Sequence, residues 1–237
     1  MNDKGIVLIG GGGHCKSVLD SVLKAKNFLS VVITDQDALI PKSILNCSIV
    51  GNDSRLCDLF QDGYTNAALT VGSLESTKIR RGIYDRVKNI GFIFPSLVDA
   101  SASVSDFSRI GQGTYVGKQA VINADADVGE FVIVNTSAVI EHDCKIGDFS
   151  HIAVGAVVCG GADIGRDVFI GAHATVIQGV KVGMNSSIGA GSIVLADVPE
   201  NRRVLGIWGG YRLRVRRRRD FVGVACCLCF RTDEVAA

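Results

Sequence analysis

The sequence predicts an α/β unit followed by a parallel β-helix, and two patterns carry that expectation. The first is a period of six. Val98, Val104, Ile110, Val116, Ile122 and every sixth residue on to Val194 are Val or Ile, seventeen positions without a slip. The second is an apolar run from Gly5 that ends in the glycine string Gly10–Gly13 and opens into helical spacing. Six is neither the helical period nor a simple strand alternation. It is the period of a hexapeptide solenoid, in which each repeat is a short strand plus a turn and stacked coils share one core.

The N-terminal unit follows in order. Gly5–Gly10 reads as a buried parallel strand, and Ser17–Phe28 as a helix with Val18, Val22 and Leu23 on its apolar face. Ser30–Thr34 is a second strand ending at Asp35; Asp53 is placed as N-cap of a helix over 54–61. Ala67–Val71 is a third strand running into Gly72, and a helix from about Glu75 to Lys88 precedes Phe92–Phe94 and Pro95. This βαβαβ order places ligand-facing loops at the C-terminal ends of the strands. The glycine string lacks the third glycine of G-x-G-x-x-G, since Cys15 or Lys16 stands there, so a dinucleotide is poorly supported. An anion at the helix N-terminus is still supported, with Asp35 placed for a ribose or base contact and Gly72 completing the pocket. A tight turn without a ligand is the plain alternative.

In the repeat region a small residue or Val follows four places after each β-branched residue, as at Ala102, Ala120, Ala138, Cys144 and Ala174. The β-branched residue is expected to fill a corner of the core, and the small one to let the walls approach. Glycine directly follows the β-branched residue at 111, 117, 129, 147, 165, 171, 183 and 189, where positive φ is expected. Three repeats make one triangular coil of eighteen residues, giving between five and six coils.

Composition excludes several classes. The chain has 237 residues, 47% hydrophobic and 21% charged, and no run approaches a membrane span. Met1–Lys4 lacks the basic start of a signal peptide, and the scattered Cys15, Cys47, Cys57, Cys144 and Cys159 read as small core residues rather than a disulfide framework. A cytoplasmic location is the expectation. The net charge of +1 hides a contrast: residues from 202 onward carry +6 and residues 1–201 carry −5. The acidic body argues against nucleic acid as partner of the main folds.

The histidines carry the chemistry. His142 lies between Glu141 and Asp143 in an otherwise charge-poor wall, which suits a general base tuned by a carboxylate. His151 can donate a hydrogen bond to an oxygen that gains negative charge in a reaction. His173 has no such neighbours, and a polar corner residue is its plain reading. Counted from Val98, His142, His151 and His173 fall at phases 8, 17 and 3 of the coil, so His142 and His151 meet only across a subunit interface. Two other classes stay open: a γ-type zinc carbonic anhydrase, which needs all three to converge, and a non-catalytic scaffold.

The opening I-G-G-G-G-H string, the two-domain order and the stretch N-T-S-A-V-I-E-H-D-C from Asn135 to Cys144 together resemble a known family. It is the hexapeptide-repeat sugar acetyltransferases of the sialic acid O-acetyltransferase (NeuD-like) and UDP-4-amino-sugar N-acetyltransferase type, and the resemblance spans about 1–200. It implies a left-handed β-helix, a homotrimer, acetyl-CoA as co-substrate and no metal. It implies His142 as general base with Asp143 tuning it, although some members carry Glu at the second position. His151, Ala172 and Ala190 would contact acetyl-CoA. Gly12, Gly13, His14, Asp35 and Gly72 would line the nucleotide-sugar pocket. The implied reaction is acetylation of the 4-amino group of a UDP-linked amino-dideoxy sugar for a surface glycan, with O-acetylation of a sialic-acid-type sugar as the alternative.

The expected division is 1–95 for the nucleotide-sugar unit, 96–200 for the β-helix and 201–237 for a divergent tail. The tail lacks the family's usual G-x-P-A turn and runs into Arg216–Arg219 and the trio Cys226, Cys227 and Cys229.

Overall fold

The computed structural model describes residues 5–36, 42–72 and 76–209, so the arginine and cysteine clusters of the tail lie outside the described residues. The N-terminal unit is built on a three-stranded parallel sheet of β1 (Gly5–Ile9), β2 (Val31–Thr34) and β5 (Tyr64–Leu69), in the order β2-β1-β5. Strand β1 is buried along its whole length, as a central strand between two parallel neighbours must be. Helix α1 (Gly13–Ala25) connects β1 to β2. A hairpin of β3 (Ser43–Ile44) and β4 (Cys47–Ser48) and the short α2 (Leu56–Gln61) precede β5, and α3 (Lys78–Ile90) follows it. Phe92–Phe94 returns to the sheet through a bridge between Ile93 and Asn66.

Three expectations are corrected here. Helix α1 starts at Gly13 rather than Ser17, with Gly12 as an N-cap lacking a side-chain hydrogen bond, so His14 sits in the first turn. Asn52, not Asp53, caps the turn before α2, accepting from the Ser54 backbone N–H; Asp53 instead pairs with Arg86 at 2.8 Å. Of the cysteines expected in the core, Cys15 and Cys144 are buried, but Cys57 is exposed and Cys47 and Cys159 are half-buried. Cys57 falls between Leu56 and Leu59, which take the inward face of α2.

From Leu97 to Trp208 the chain is a left-handed parallel β-helix of about six turns. Its walls are three parallel sheets of two-residue strands, of seven, seven and five strands. The strands pair with partners eighteen residues away, as in Val121–Val139–Val157. Each β-branched position and the small residue four later point inward and form one continuous core, from Val116 and Ala120 to Val194. The coil runs on past residue 200 through the strands Arg203–Val204 and Ile207–Trp208.

The eight glycines after the β-branched residues do not have positive φ. Positive φ falls two places later, on Gly113, Gln119, Asp125, Phe131 and every sixth residue to Gly191. Glycine, Asp and Asn tolerate that region best, which explains much of that column. The glycines next to the corner answer a different need. A Cβ on Gly111, Gly147, Gly165, Gly171 or Gly183 would stand 2.4–2.7 Å from backbone of the next coil. Gly147→Ala is therefore expected to lower unfolding free energy by about 3 kcal/mol, as overpacking against backbone does. Urea denaturation measures it; an unchanged midpoint would show that the coils can spread.

The outward residues give each wall its character. One wall presents Leu97, Tyr115, Ile133, His151 and Phe169 in a column, and the N-terminal unit docks on it. Tyr115 and Ile133 share a core with Ile6, Leu8, Val18 and Val22, while Phe131 and Phe149 at the corner join Ile83, Val87 and Phe94. A second wall presents the charged column Arg109, Asp127, Lys145, Asp163 and Lys181. The third presents Val121, Val139, Val157, Thr175, Ile193 and Ile207, an apolar stripe on which Ile193 is 40% and Ile207 67% exposed. Among the described residues, no helix is long and apolar enough to cross a membrane.

Candidate active site

A cleft of about 690 Å³ opens where the N-terminal unit meets the docking wall. Gly10, Gly12, Gly13, His14 and Ser17 line it from the start of α1, Asp35 from the end of β2, and Thr70, Val71 and Gly72 from the end of β5. The β-helix closes it with Asn135, Thr136, His151 and Val154. All five residues expected in a nucleotide-sugar pocket are thus brought together. Asn135 and Thr136 were not expected there; they follow Val134 on the corner of the coil that meets the pocket, which only the docking reveals.

The N-terminal rim is arranged for donors. The first turn of α1 has no side-chain cap, leaving its backbone N–H groups for an anion. The Asp35 carboxylate accepts from the Gly11 N–H and holds the glycine string against β2. Burial, with His151 and Arg80 nearby, pushes the His14 imidazole down to about 3, so it is neutral throughout the physiological range. Its Nε2 is buried without a hydrogen-bond partner among the described residues, and its ring meets Tyr115 edge-on at 5.5 Å.

His151 is fixed by its neighbours. The Thr136 backbone N–H donates to Asn135 Oδ1 at 2.8 Å, which turns the Asn135 amide nitrogen toward His151 Nε2 at 3.3 Å. An amide nitrogen can only donate, so Nε2 accepts and the ring proton lies on Nδ1. Phe169, one coil on, packs edge-on at 5.3 Å. His151, expected on acetyl-CoA, lines the cleft beside the glycine string.

From there a column of small residues runs along the corner between the docking and apolar walls. Thr136, Val154, Ala172 and Ala190 succeed one another every eighteen residues, and the Gly191 N–H donates to Ala172 O at 2.8 Å. The two alanines expected on the coenzyme therefore continue the edge of the cleft. His173 stands beside them with φ 55° and its ring over Gly155.

His142 is on the opposite corner of the apolar wall and does not line the cleft. Its Nδ1 donates to Asp143 Oδ2 at 2.7 Å, and both side chains are more than half exposed. That hydrogen bond, helped by the Asp143 and Glu141 charges, raises the imidazole above its ordinary value. It leaves Nε2 as the basic nitrogen. The imidazole reaches over the next coil, where a Cβ on Gly160 would come within 2.6 Å of Cε1 and Nε2. Gly160 is a supporting residue that coil arithmetic could have found, since it stands eighteen places after His142. Among the described residues, no three His, Cys, Asp or Glu side chains converge as a metal site would require.

An α/β unit with a glycine-rich rim, docked on a hexapeptide β-helix with a carboxylate-paired corner histidine, is the arrangement expected of an acyltransferase. Comparison with known proteins agrees. Residues 5–87 match the PglD N-terminal domain family, and residues 161–196 match the bacterial transferase hexapeptide (six repeats) family. The acetyltransferase domain of PglB from Neisseria gonorrhoeae is 30% identical, with 86% of this chain and 97% of that one covered and a TM-score of 0.80. The same domain in complex with acetyl coenzyme A aligns at 31% identity over 86% of this chain and 97% of that one, again with a TM-score of 0.80. A histidine-to-alanine variant of GDP-perosamine N-acetyltransferase from Caulobacter crescentus, in complex with CoA and GDP-perosamine, is 32% identical over 85% of this chain and 93% of that one, with a TM-score of 0.80. No curated protein sequence matches the chain. The chain belongs to the hexapeptide-repeat sugar acetyltransferases of the NeuD-like and UDP-4-amino-sugar N-acetyltransferase type, and is an acetyl-CoA-dependent enzyme.

Proposed function

We propose that the enzyme moves an acetyl group from acetyl-CoA to the 4-amino group of an amino-dideoxy sugar carried on a nucleoside diphosphate. The observation that carries this reading is the placement of His142 and the cleft on the two corners flanking one apolar wall, which no element among the described residues covers. Thr136 lines the cleft and His142 follows six residues later, a third of a turn on in the same coil. Packing three copies with their apolar walls toward a common axis brings the His142 corner of one copy to the Thr136–Ala172 corner of the next, at matching height. Burying Val121, Val139, Val157 and Ile193 would drive that assembly. We therefore propose a homotrimer with three active sites, each shared by two subunits.

In this arrangement the nucleotide diphosphate lies at the N-terminus of α1 and the sugar reaches toward the β-helix. The acetyl-CoA arm follows the Ala172–Ala190 edge, and His151 contacts the thioester carbonyl. The amine nitrogen forms its bond to the thioester carbon, and the carbonyl oxygen takes the charge and meets a donor. The amine proton passes to Nε2 of His142, while Asp143 holds Nδ1 and stabilises the imidazolium. The carbon–sulfur bond then breaks, and the departing thiolate takes the proton, which returns His142 to its neutral form. No covalent bond to the enzyme is required.

Thiol release from acetyl-CoA tests this with UDP- and GDP-linked 4-amino-4,6-dideoxy sugars and with free sialic acid. The expected result is release with one nucleotide-linked amino sugar. Release with sialic acid alone would reject the amino-sugar reading and keep acetyl transfer; no release from a trimeric preparation would reject both.

A further inference from the structure

The corner between the charged and docking walls carries Phe131, Phe149 and Asp167, one per coil, with φ of 54°, 59° and 59°. Gly113 and Asn185 occupy the same place in the neighbouring coils. Positive φ is unfavourable for a bulky residue such as phenylalanine, so the turn alone does not select Phe131 or Phe149. Their partner is α3. The Tyr84 ring lies 4.7 Å from Phe131 and 5.9 Å from Phe149, and the Arg81 guanidinium stands 4.1 Å over Phe149. Arg81 also donates to both oxygens of Asp167 at 2.8 Å, and the Thr77 hydroxyl donates to the same carboxylate at 2.6 Å.

Thr77, Arg81 and Tyr84 form one helical face, and the seven steps from Thr77 to Tyr84 rise about 10.5 Å. Two coil spacings of hydrogen-bonded strands are about 9.6 Å. Helix and solenoid therefore match in pitch, and α3 lies along the corner like a scale against its marks. Arg80 adds a buried donor, Nη2 to Phe131 O at 2.7 Å, while its Nε and Nη1 have no hydrogen-bond partner among the described residues. A buried cation satisfied so incompletely is a poor source of stability; its place is better explained by position.

We propose that Phe131, Phe149 and Asp167 form a rail that sets the height of the sugar cleft against the coil bearing His142, with Asp167 as a positioning residue for acetyl transfer. Thr77 is five residues along the chain from Gly72, which lines the cleft, so the Asp167 grip acts close to the pocket. Asp167 itself does not line the cleft. The inference rests on the acetyl-transfer reading for its catalytic half alone.

Two substitutions separate position from folding. Asp167→Gly removes the carboxylate and suits the positive φ, as Gly113 does three coils earlier on the same corner; Asp167→Asn keeps an acceptor for Thr77 and Arg81. In Asp167→Gly, the amides of α3 are expected to exchange about tenfold faster, and kcat to fall by about tenfold or more, since small misplacements of reacting groups are costly. Calorimetric stoichiometry and affinity for CoA, UDP and GDP should stay within about twofold, and Asp167→Asn should recover most of kcat, because the reacting geometry alone is disturbed. Phe149→Asn, which also suits the turn, should loosen α3 in the same way. Unchanged α3 exchange in both Asp167→Gly and Phe149→Asn, or unchanged kcat with a loosened α3, would overturn the proposal. So would a fall in nucleotide affinity that parallels kcat, which would make Asp167 a pocket strut. If the unaltered chain acetylates no acceptor, the acetyl-transfer reading fails instead, and exchange at α3 still decides whether the rail holds.

Discussion

His142→Ala is expected to lower kcat by about 10²–10⁴-fold while leaving acetyl-CoA and nucleotide binding in place, the range typical of losing a positioned general base. The reasoning is geometric first. Asp143 occupies Nδ1 at 2.7 Å, so Nε2 is the ring nitrogen left to accept a proton. The pH dependence gives a second reading. The base works only when neutral, so activity is lost as pH falls through its pKa, and the Asp143 hydrogen bond and charge place that pKa above the ordinary imidazole value. Asp143→Asn removes the charge, so the acid limb of kcat/KM should move to lower pH while the maximal rate falls. A profile that does not move, or a His142→Ala enzyme with full kcat, would remove His142 from the mechanism.

How far the sequence discloses this site depends on which residues carry signal by themselves. The solenoid core is legible because a β-branched residue every sixth place has no competing explanation, and the structure places those from Val116 to Val194 inside. The rim of the cleft is legible because glycine before a helix is a local signal, though α1 starts four residues earlier than its apolar spacing indicates. The corner glycines are misread because close approach and positive φ both ask for glycine, and only stacking distances separate them. The β3–β4 hairpin is missed because its turn residues, Leu45 and Asn46 at φ 45° and 65°, lack the usual Asn-Gly pair. Asn135, Thr136 and the Phe131–Asp167 rail are invisible for another reason. Their roles depend on where a separate unit docks, and no period within the chain encodes that contact.

Gly160→Ala is the prediction that tests the coil geometry itself, and its expected effect is a fall in kcat of about 10²-fold in a folded protein, as misplaced reacting groups produce. Gly160 is buried and has no positive φ, so alanine suits its backbone. The new Cβ would stand 2.6 Å from Cε1 and Nε2 of His142, and an exposed imidazole yields more easily than the solenoid wall. The ring must swing off the coil, taking the basic nitrogen away from the acceptor while its bond to Asp143 is strained or lost. Gly161→Ala supplies the contrast. Gly161 has φ 66° and nothing within 4 Å of its added Cβ, so alanine there should cost about 1 kcal/mol of stability through backbone strain alone and spare the base. Adjacent glycines thus separate two demands, one for backbone freedom and one for space beneath the His142 ring. Unfolding curves and steady-state rates on both variants decide it. Equal losses of kcat in the two, or none in Gly160→Ala, would mean that the imidazole does not work from its place over the coil.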